Sequence, residues 1–170
     1  MQNKVLIVSA TSSTNLKLSE DIEKILQKFS VKAEILNIEE FPLPLFVSSN
    51  YIETKEKHFD KINNLTGKFI ESHGIIICAP EYNGSIPPII TNMIAWISVS
   101  TEEWRFAFSD KISLIATSSG GPGSKYIIAM KNQLEHLGSV VMPRSIATSS
   151  SVKLDLNSVE KILNKFIKLL

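Results

Sequence analysis

Short β-branched runs alternate with helix-spaced apolar stripes along this chain, and no other feature restricts the fold as much. Residues 4–9 carry Val5-Leu6-Ile7-Val8, which suits a strand buried on both faces. Leu18, Ile22, Ile25, Leu26 and Phe29 follow at spacings of three and four, the stripe of an amphipathic helix. The exchange then repeats. A strand over 33–38 precedes a helix marked by Phe59, Ile62, Leu65, Phe69 and Ile70. A wholly apolar strand over 74–79 precedes a helix whose first turn accommodates Pro88 and whose apolar positions are Ile89, Ile90, Met93, Ile94 and Ile97. A fourth strand over 111–117 leads to a helix marked by Ile127, Met130, Leu134 and Leu137 and closed by Gly138. A short fifth strand over 140–142 precedes a last helix with Leu156, Val159, Ile162, Leu163, Phe166 and Ile167.

Five units in 170 residues average 34 each (170/5), close to the ~30 residues of a strand–helix–strand repeat. Strict alternation predicts an α/β fold with a parallel sheet covered on both faces. No linker, repeat or low-complexity tract divides the chain, so residues 1–170 read as a single domain. Two doubly wound arrangements stay open for five strands, a Rossmann half and the flavodoxin-like order 2-1-3-4-5, and both place ligands outside the carboxyl ends of the strands. Composition excludes several other classes. With Lys+Arg at 18 against Asp+Glu at 17, no basic excess points to nucleic acid. The lone Cys78 forbids a disulfide framework. No apolar run reaches the ~18 residues of a membrane span. The apolar run at 5–8 is too short for a signal-peptide core, so the expected location is the cytoplasm, with no membrane partner.

Three loops at the carboxyl edge carry the chemistry. The first reads Ser9-Ala10-Thr11-Ser12-Ser13-Thr14-Asn15 ahead of a helix. Its hydroxyls and amide, beside the free N–H groups of a helix start, would cradle a phosphate. Ser, Thr and Asn are also ordinary helix caps, though one cap does not explain the whole run. The loop after strand three, Pro80-Glu81-Tyr82-Asn83-Gly84-Ser85-Ile86-Pro87-Pro88, offers an aromatic wall, edge hydrogen bonds and a stiff frame for a planar ring. A plain Pro/Asn/Gly turn is the alternative. The loop after strand four carries Ser118-Ser119-Gly120-Gly121-Pro122-Gly123. That spacing is GGxG, not GxGxxG, and no acidic residue ends the next strand, which argues against a dinucleotide loop. The paired glycines still let backbone lie against a flat ligand.

At these loops the chain resembles the NADPH-dependent FMN reductases of the flavodoxin-like superfamily, a group that includes quinone, azo-dye and chromate reductases. The match runs through Ala79-Pro80-Glu81-Tyr82-Asn83-Gly84-Ser85-Ile86-Pro87 and on to Asn92 and Trp96. It extends to Phe41-Pro42-Leu43-Pro44-Leu45-Phe46, to residues 117–123, and to the helix ending Leu134-Glu135-His136-Leu137-Gly138. The resemblance implies a flavodoxin-like three-layer sandwich with five parallel strands in the order 2-1-3-4-5. It also implies FMN, held without a covalent bond, with NADPH or NADH as co-substrate. Ser9, Thr11, Ser12, Ser13 and Asn15 would take the phosphate. Pro80, Glu81, Tyr82, Asn83 and Gly84 would frame the isoalloxazine, and Ser118, Gly120 and Gly121 would approach its pyrimidine edge. No catalytic side chain and no metal are expected, because the flavin carries the chemistry. Electrons would pass from the nicotinamide through the flavin to a small acceptor (a quinone, azo compound, free flavin or metal oxyanion) by ping-pong turnover. A flavodoxin-like carrier, or a relative that has lost FMN, is the alternative. Family members form dimers or tetramers, and the apolar stripe from Ile89 to Ile97 is the expected contact.

The first loop departs from the family pattern. The family's loop is about two residues longer and carries an Arg, whereas no Lys or Arg occurs here between Lys4 and Lys17. Charge-assisted contacts to phosphate are stronger than neutral ones, so FMN binding weaker than the family norm is expected. Ala95 replaces the usual Asp before Trp96. His58, His73 and His136 lack metal-ligand spacing, and Cys78 reads as a small core residue. Trp104, Arg105, Phe106 and Phe108 admit two readings, a core or subunit contact and a wall of the substrate pocket.

Overall fold

The computed structural model describes residues 3–170. Its elements run β1 (Lys4–Ser9), α1 (Thr14–Lys28), β2 (Lys32–Asn37), a 3-10 turn (Ile38–Glu40), α2 (Tyr51–Lys57), α3 (Phe59–Glu71), β3 (Gly74–Cys78), α4 (Pro88–Ser98), β4 (Ile112–Ser119), α5 (Ser124–His136), β5 (Val140–Val141), β6 (Ile146–Ser149) and α6 (Leu156–Ile167). Every strand pairing is parallel, and the order is β2-β1-β3-β4-β5, the flavodoxin-like one.

Alternation within each strand divides the core in two. Leu6, Val8, Ile75, Ile77 and Ile115 face α3, α4 and α5, together with Leu65, Phe69, Met93 and Met130. Val5, Ile7, Ile76, Cys78 and Leu114 face α1 and α6, together with Ile22, Leu26, Leu163 and Phe166. Successive side chains of a strand point to opposite faces, so continuous apolar runs such as 5–8 and 75–78 are what two helical layers require.

The expected fifth strand is broken. Val140 and Val141 pair with Ile112 and Ser113, and then Met142-Pro143-Arg144-Ser145 leaves the ladder. A second piece, β6, returns to pair Ile146–Ser149 with the last four residues of β4, from Ala116 to Ser119. Pro143 has no N–H to donate, and such a residue is tolerated only at a sheet edge. The expectation of one short strand was therefore incomplete. Its second half carries Ser149 up to the carboxyl edge of the sheet.

Three further expectations change. α2 was not foreseen, because none of its residues is buried and no apolar stripe marks it. The stripe on α4 is not a free contact face: Ile90, Met93, Ile94 and Ile97 are buried in the core of their own chain. Residues 104–108 lead into the amino end of β4, at the edge opposite the three loops, so they do not wall a pocket there. Phe108 is buried against Phe69 with ring centroids 5.3 Å apart. The Arg105 guanidinium lies 4.3 Å over the Trp104 ring, which in turn sits 5.4 Å from His136.

The segment after β2 is held to α4. The Pro44 carbonyl accepts from Trp96 Nε1 at 2.7 Å and Asn92 Nδ2 at 3.0 Å, and Asn92 Oδ1 accepts the Phe46 N–H at 2.8 Å. Two separate parts of the sequence signature are thus one hydrogen-bonded unit.

Candidate functional site

β1, β3 and β4 end side by side, so their loops meet at one edge. The Ala10 N–H donates to the Cys78 carbonyl at 2.9 Å, and the Ala79 N–H donates to Ala116 at 3.1 Å. A cavity of about 430 Å³ opens above these strand ends. Loop one contributes Thr11 and Ser13 to it, and the first turn of α1 contributes Thr14 and Asn15. Pro80, Glu81 and Tyr82 come from loop three, Ser118, Ser119 and Gly120 from the end of β4, and Ser149 and Ser150 from the end of β6. That volume lies within the ~300–1,000 Å³ of small-ligand sites. A larger cavity of about 700 Å³ lies elsewhere, against α6 and the break between β5 and β6. It is away from the carboxyl edge, where open α/β sheets bind ligands.

Asn15 is the hinge pin of the site. Its side chain is 1% exposed. Nδ2 donates to the Ser118 carbonyl and Oδ1 accepts the Ser118 N–H, both at 2.9 Å. Both ends of the amide are spent on protein backbone, so Asn15 joins loop one to loop four. Ser9 is likewise engaged: its buried hydroxyl donates to the Thr11 carbonyl at 2.8 Å, below the cavity floor. Ser13 stands at the N-cap of α1, yet its side chain makes no capping bond, so the ordinary capping role does not account for it. Its hydroxyl donates instead to Thr11 Oγ1 at 3.3 Å.

Ser12 turns the other way. Its hydroxyl accepts from Asn37 Nδ2 at 2.8 Å, and its N–H donates to Glu39 Oε2 at 2.6 Å. That contact holds the Glu39 carboxyl below its ordinary range, with the backbone N–H the main cause.

Loop three owes its shape to Asn83 and Gly84. Tyr82 and Ser85 exchange both backbone hydrogen bonds, at 3.2 and 2.9 Å. The two residues between them have φ of 51° and 70°, a tight turn with both central residues left-handed. Asn-Gly is the pair that turn favours. Neither residue lines the cavity; they set the angle at which Tyr82, half exposed, stands beside it. Glu81 also has a use the sequence did not reveal. Its N–H donates to Ser119 Oγ at 2.8 Å, and its carboxylate accepts the Lys125 and Tyr126 N–H groups at 3.0 and 3.2 Å. It thereby caps α5, whose own N-cap residue, Gly123, has no side chain to do so. Ser119 Oγ also shares a hydrogen bond with Thr117 Oγ1 at 2.8 Å, which completes a network across loops three and four.

Gly120 stands apart. A Cβ built on it would meet no atom within 4 Å, and its backbone does not require a positive φ. The fold imposes no glycine there, and the residue stands at the lip of the cavity. Gly121 likewise has open space around it but does not line the cavity.

No Lys or Arg lines this cavity, and Glu81 is its only formal charge. Among the described residues no group of three or more His, Cys, Asp or Glu could hold a metal. Cys78 is fully buried beneath the site. Burial pushes its thiol up to about 12, partly offset by a hydrogen bond with Ser19, so it offers no thiolate. No helix among the described residues is long and apolar enough to cross a membrane.

The family described as NADPH-dependent FMN reductase matches residues 3–153. A curated relative, subunit CrdA of an NADH:(hydroxy)cinnamate reductase from Vibrio ruber, is 27% identical over 84% of this chain and 68% of its own length. Among solved structures, the flavoenzyme NAD(P)H:(acceptor) oxidoreductase FerB from Paracoccus denitrificans superposes with a TM-score of 0.78 at 20% identity, covering 98% of this chain and 96% of that one. An FMN-dependent NADH-azoreductase from Bacillus anthracis, in complex with FMN, gives 0.66 at 17% identity, with 98% and 96% covered.

Proposed function

The chain belongs to the NADPH-dependent FMN reductase family, and on that premise we propose that it carries electrons from NAD(P)H through FMN to a small acceptor. The open space at Gly120 is the observation that carries this reading. A glycine that no backbone angle or neighbour demands, at the lip of a cavity, leaves room for a flat ligand to lie against the main chain.

The donor set fits FMN. Thr11 and Ser13, with the first-turn N–H groups of α1, would hold the phosphate. Pro80, Tyr82, Ser118 and Gly120 would frame the ring. Bound there, FMN would supply hydride acceptance from a nicotinamide and onward transfer of the electrons. The chain's own residues bind and orient. Asn15 fixes the distance between the phosphate end and the ring end. Glu81 and Ser119 lock loop three to loop four, so Tyr82 keeps one angle. No titratable side chain other than Glu81 and Tyr82 lines the cavity, which fits a site that positions rather than one that moves protons. Donor and acceptor would use the same opening in turn, which gives ping-pong kinetics; quinones, azo compounds, free flavins and metal oxyanions are acceptors of suitable size.

Protein with added FMN should oxidise NADPH or NADH with menadione as acceptor, and parallel lines in double-reciprocal plots would mark alternate binding. No turnover with either nicotinamide in excess FMN would overturn the proposal. A homodimer or homotetramer is part of it. With the α4 stripe used internally, the exposed side chains of Leu45, Ile52 and Phe59 become the candidate contact. Light scattering showing a monomer at micromolar concentration would remove that element.

A further inference from the structure

Loop one is held from behind by an anion. The turn after β2 brings Glu39 against it, so the carboxylate accepts the Ser12 N–H while Asn37 Nδ2 donates to the Ser12 hydroxyl. Ser12 does not line the cavity, but Thr11 and Ser13 on either side of it do. A full negative charge therefore sits one residue behind the hydroxyls that face the ligand. It is ionised at neutral pH, because its hydrogen bond favours the charged form.

Among the described residues no cation pairs with it, and Lys61, the lysine held near this turn, is bonded to the Pro42 carbonyl. Lys4 lies at the amino end of β1, paired with Glu71 and Glu34. Lys17 is one turn into α1 and paired with Asp21 at 2.7 Å. The α1 N-terminus and the hydroxyls attract an anion, and Glu39 repels it. A phosphate ester would take its hydrogen bonds there from uncharged donors, without a cationic partner to strengthen them. A ribityl chain ending in a hydroxyl would use the same donors and feel no repulsion.

We propose that Glu39 sets the choice of flavin in this chain: it positions loop one through Ser12 while its charge cancels the preference for phosphate, so the cavity takes riboflavin about as readily as FMN. The proposal rests on the flavin reading of the cavity. Its consequence is a flavin that exchanges with the solution, and a substrate class that includes the free, unphosphorylated flavin.

The test is a pair of equilibrium titrations, FMN and riboflavin, followed by quenching of flavin fluorescence on the full chain and on Glu39→Gln. Gln keeps an oxygen for the Ser12 N–H and removes only the charge, and position 39 is exposed, so the variant should fold. Unchanged riboflavin binding serves as the internal check. In the wild type the two dissociation constants should differ by less than about ten-fold. The variant should tighten FMN by about five-fold, as expected for removing one charge several ångströms from another near a surface, and leave riboflavin within about two-fold. A wild-type preference for FMN of about ten-fold or more, or a ratio that Glu39→Gln does not move, overturns the proposal. Failure of both flavins to bind either protein would instead overturn the flavin reading, and this inference with it.

Discussion

The two ends of the cavity are built on different principles. At the ring end, loops three and four are bound into one piece by Glu81, Ser119 and Thr117, with a capped helix behind them. At the phosphate end, loop one presents hydroxyls and backbone, lacks any cation, and has Glu39 at its back. Asn15 is the only side chain whose hydrogen bonds join loop one to loop four among the described residues. The contrast teaches that affinity here should come from shape and stacking at the rigid end, with the soft end adding little. Preorganised donors bind without further ordering cost, and uncharged donors hold a phosphate less strongly than a cation does.

Variants at the two ends can break this contrast. Gly120→Leu should be the most damaging: the side chain fills the cavity, so flavin affinity falls by about 100-fold or more, some 2.7 kcal/mol. Because a Cβ there meets nothing, the melting temperature should stay put, and calorimetry alongside a flavin titration reads both. Asn15→Ala should cost about 1 kcal/mol of stability, since it strands the half-buried N–H and carbonyl of Ser118. It should also lower flavin affinity by about ten-fold; urea unfolding and the same titration measure the two losses. Glu81→Ala should remove about 1 kcal/mol as a lost helix cap, visible as a lower midpoint in urea, with a smaller loss of affinity. Ser13→Ala should do least, about three-fold on FMN and no more than that on riboflavin. If Ser13→Ala proved as damaging as Gly120→Leu, the ranking of the two ends would be inverted.

Much of this was legible in the sequence, for a definite reason. A parallel sheet buried on both faces writes itself as continuous apolar runs, and 5–8 and 75–78 are such runs. Loops at the carboxyl edge then follow from topology alone. What escaped notice had no local signature. α2 buries none of its residues, and β6 reads Ile-Ala-Thr-Ser, with a single large apolar residue. Ser149 and Ser150 were therefore missed as cavity residues. The contacts that decide individual roles are long-range: Glu39 reaches Ser12 across 27 positions, Glu81 reaches Lys125 across 44, and Asn15 reaches Ser118 across 103. Residue type pointed to Asn15, Glu81 and Asn83 as ligand contacts, and the fold uses all three to shape the loops. The shared signature is thus partly a signature of architecture.

The broken strand at the sheet edge has a bearing on how the molecule behaves in company. An unbroken strand from Val140 to Ser149 would present a long row of unpaired N–H and carbonyl groups, the template on which another chain adds as a further strand. Pro143 interrupts that row and Arg144 places a charge beside the gap. What remains are pieces of two and four residues, too short to recruit a stranger. The kink that carries Ser149 up to the cavity also blunts this edge of the sheet as a template.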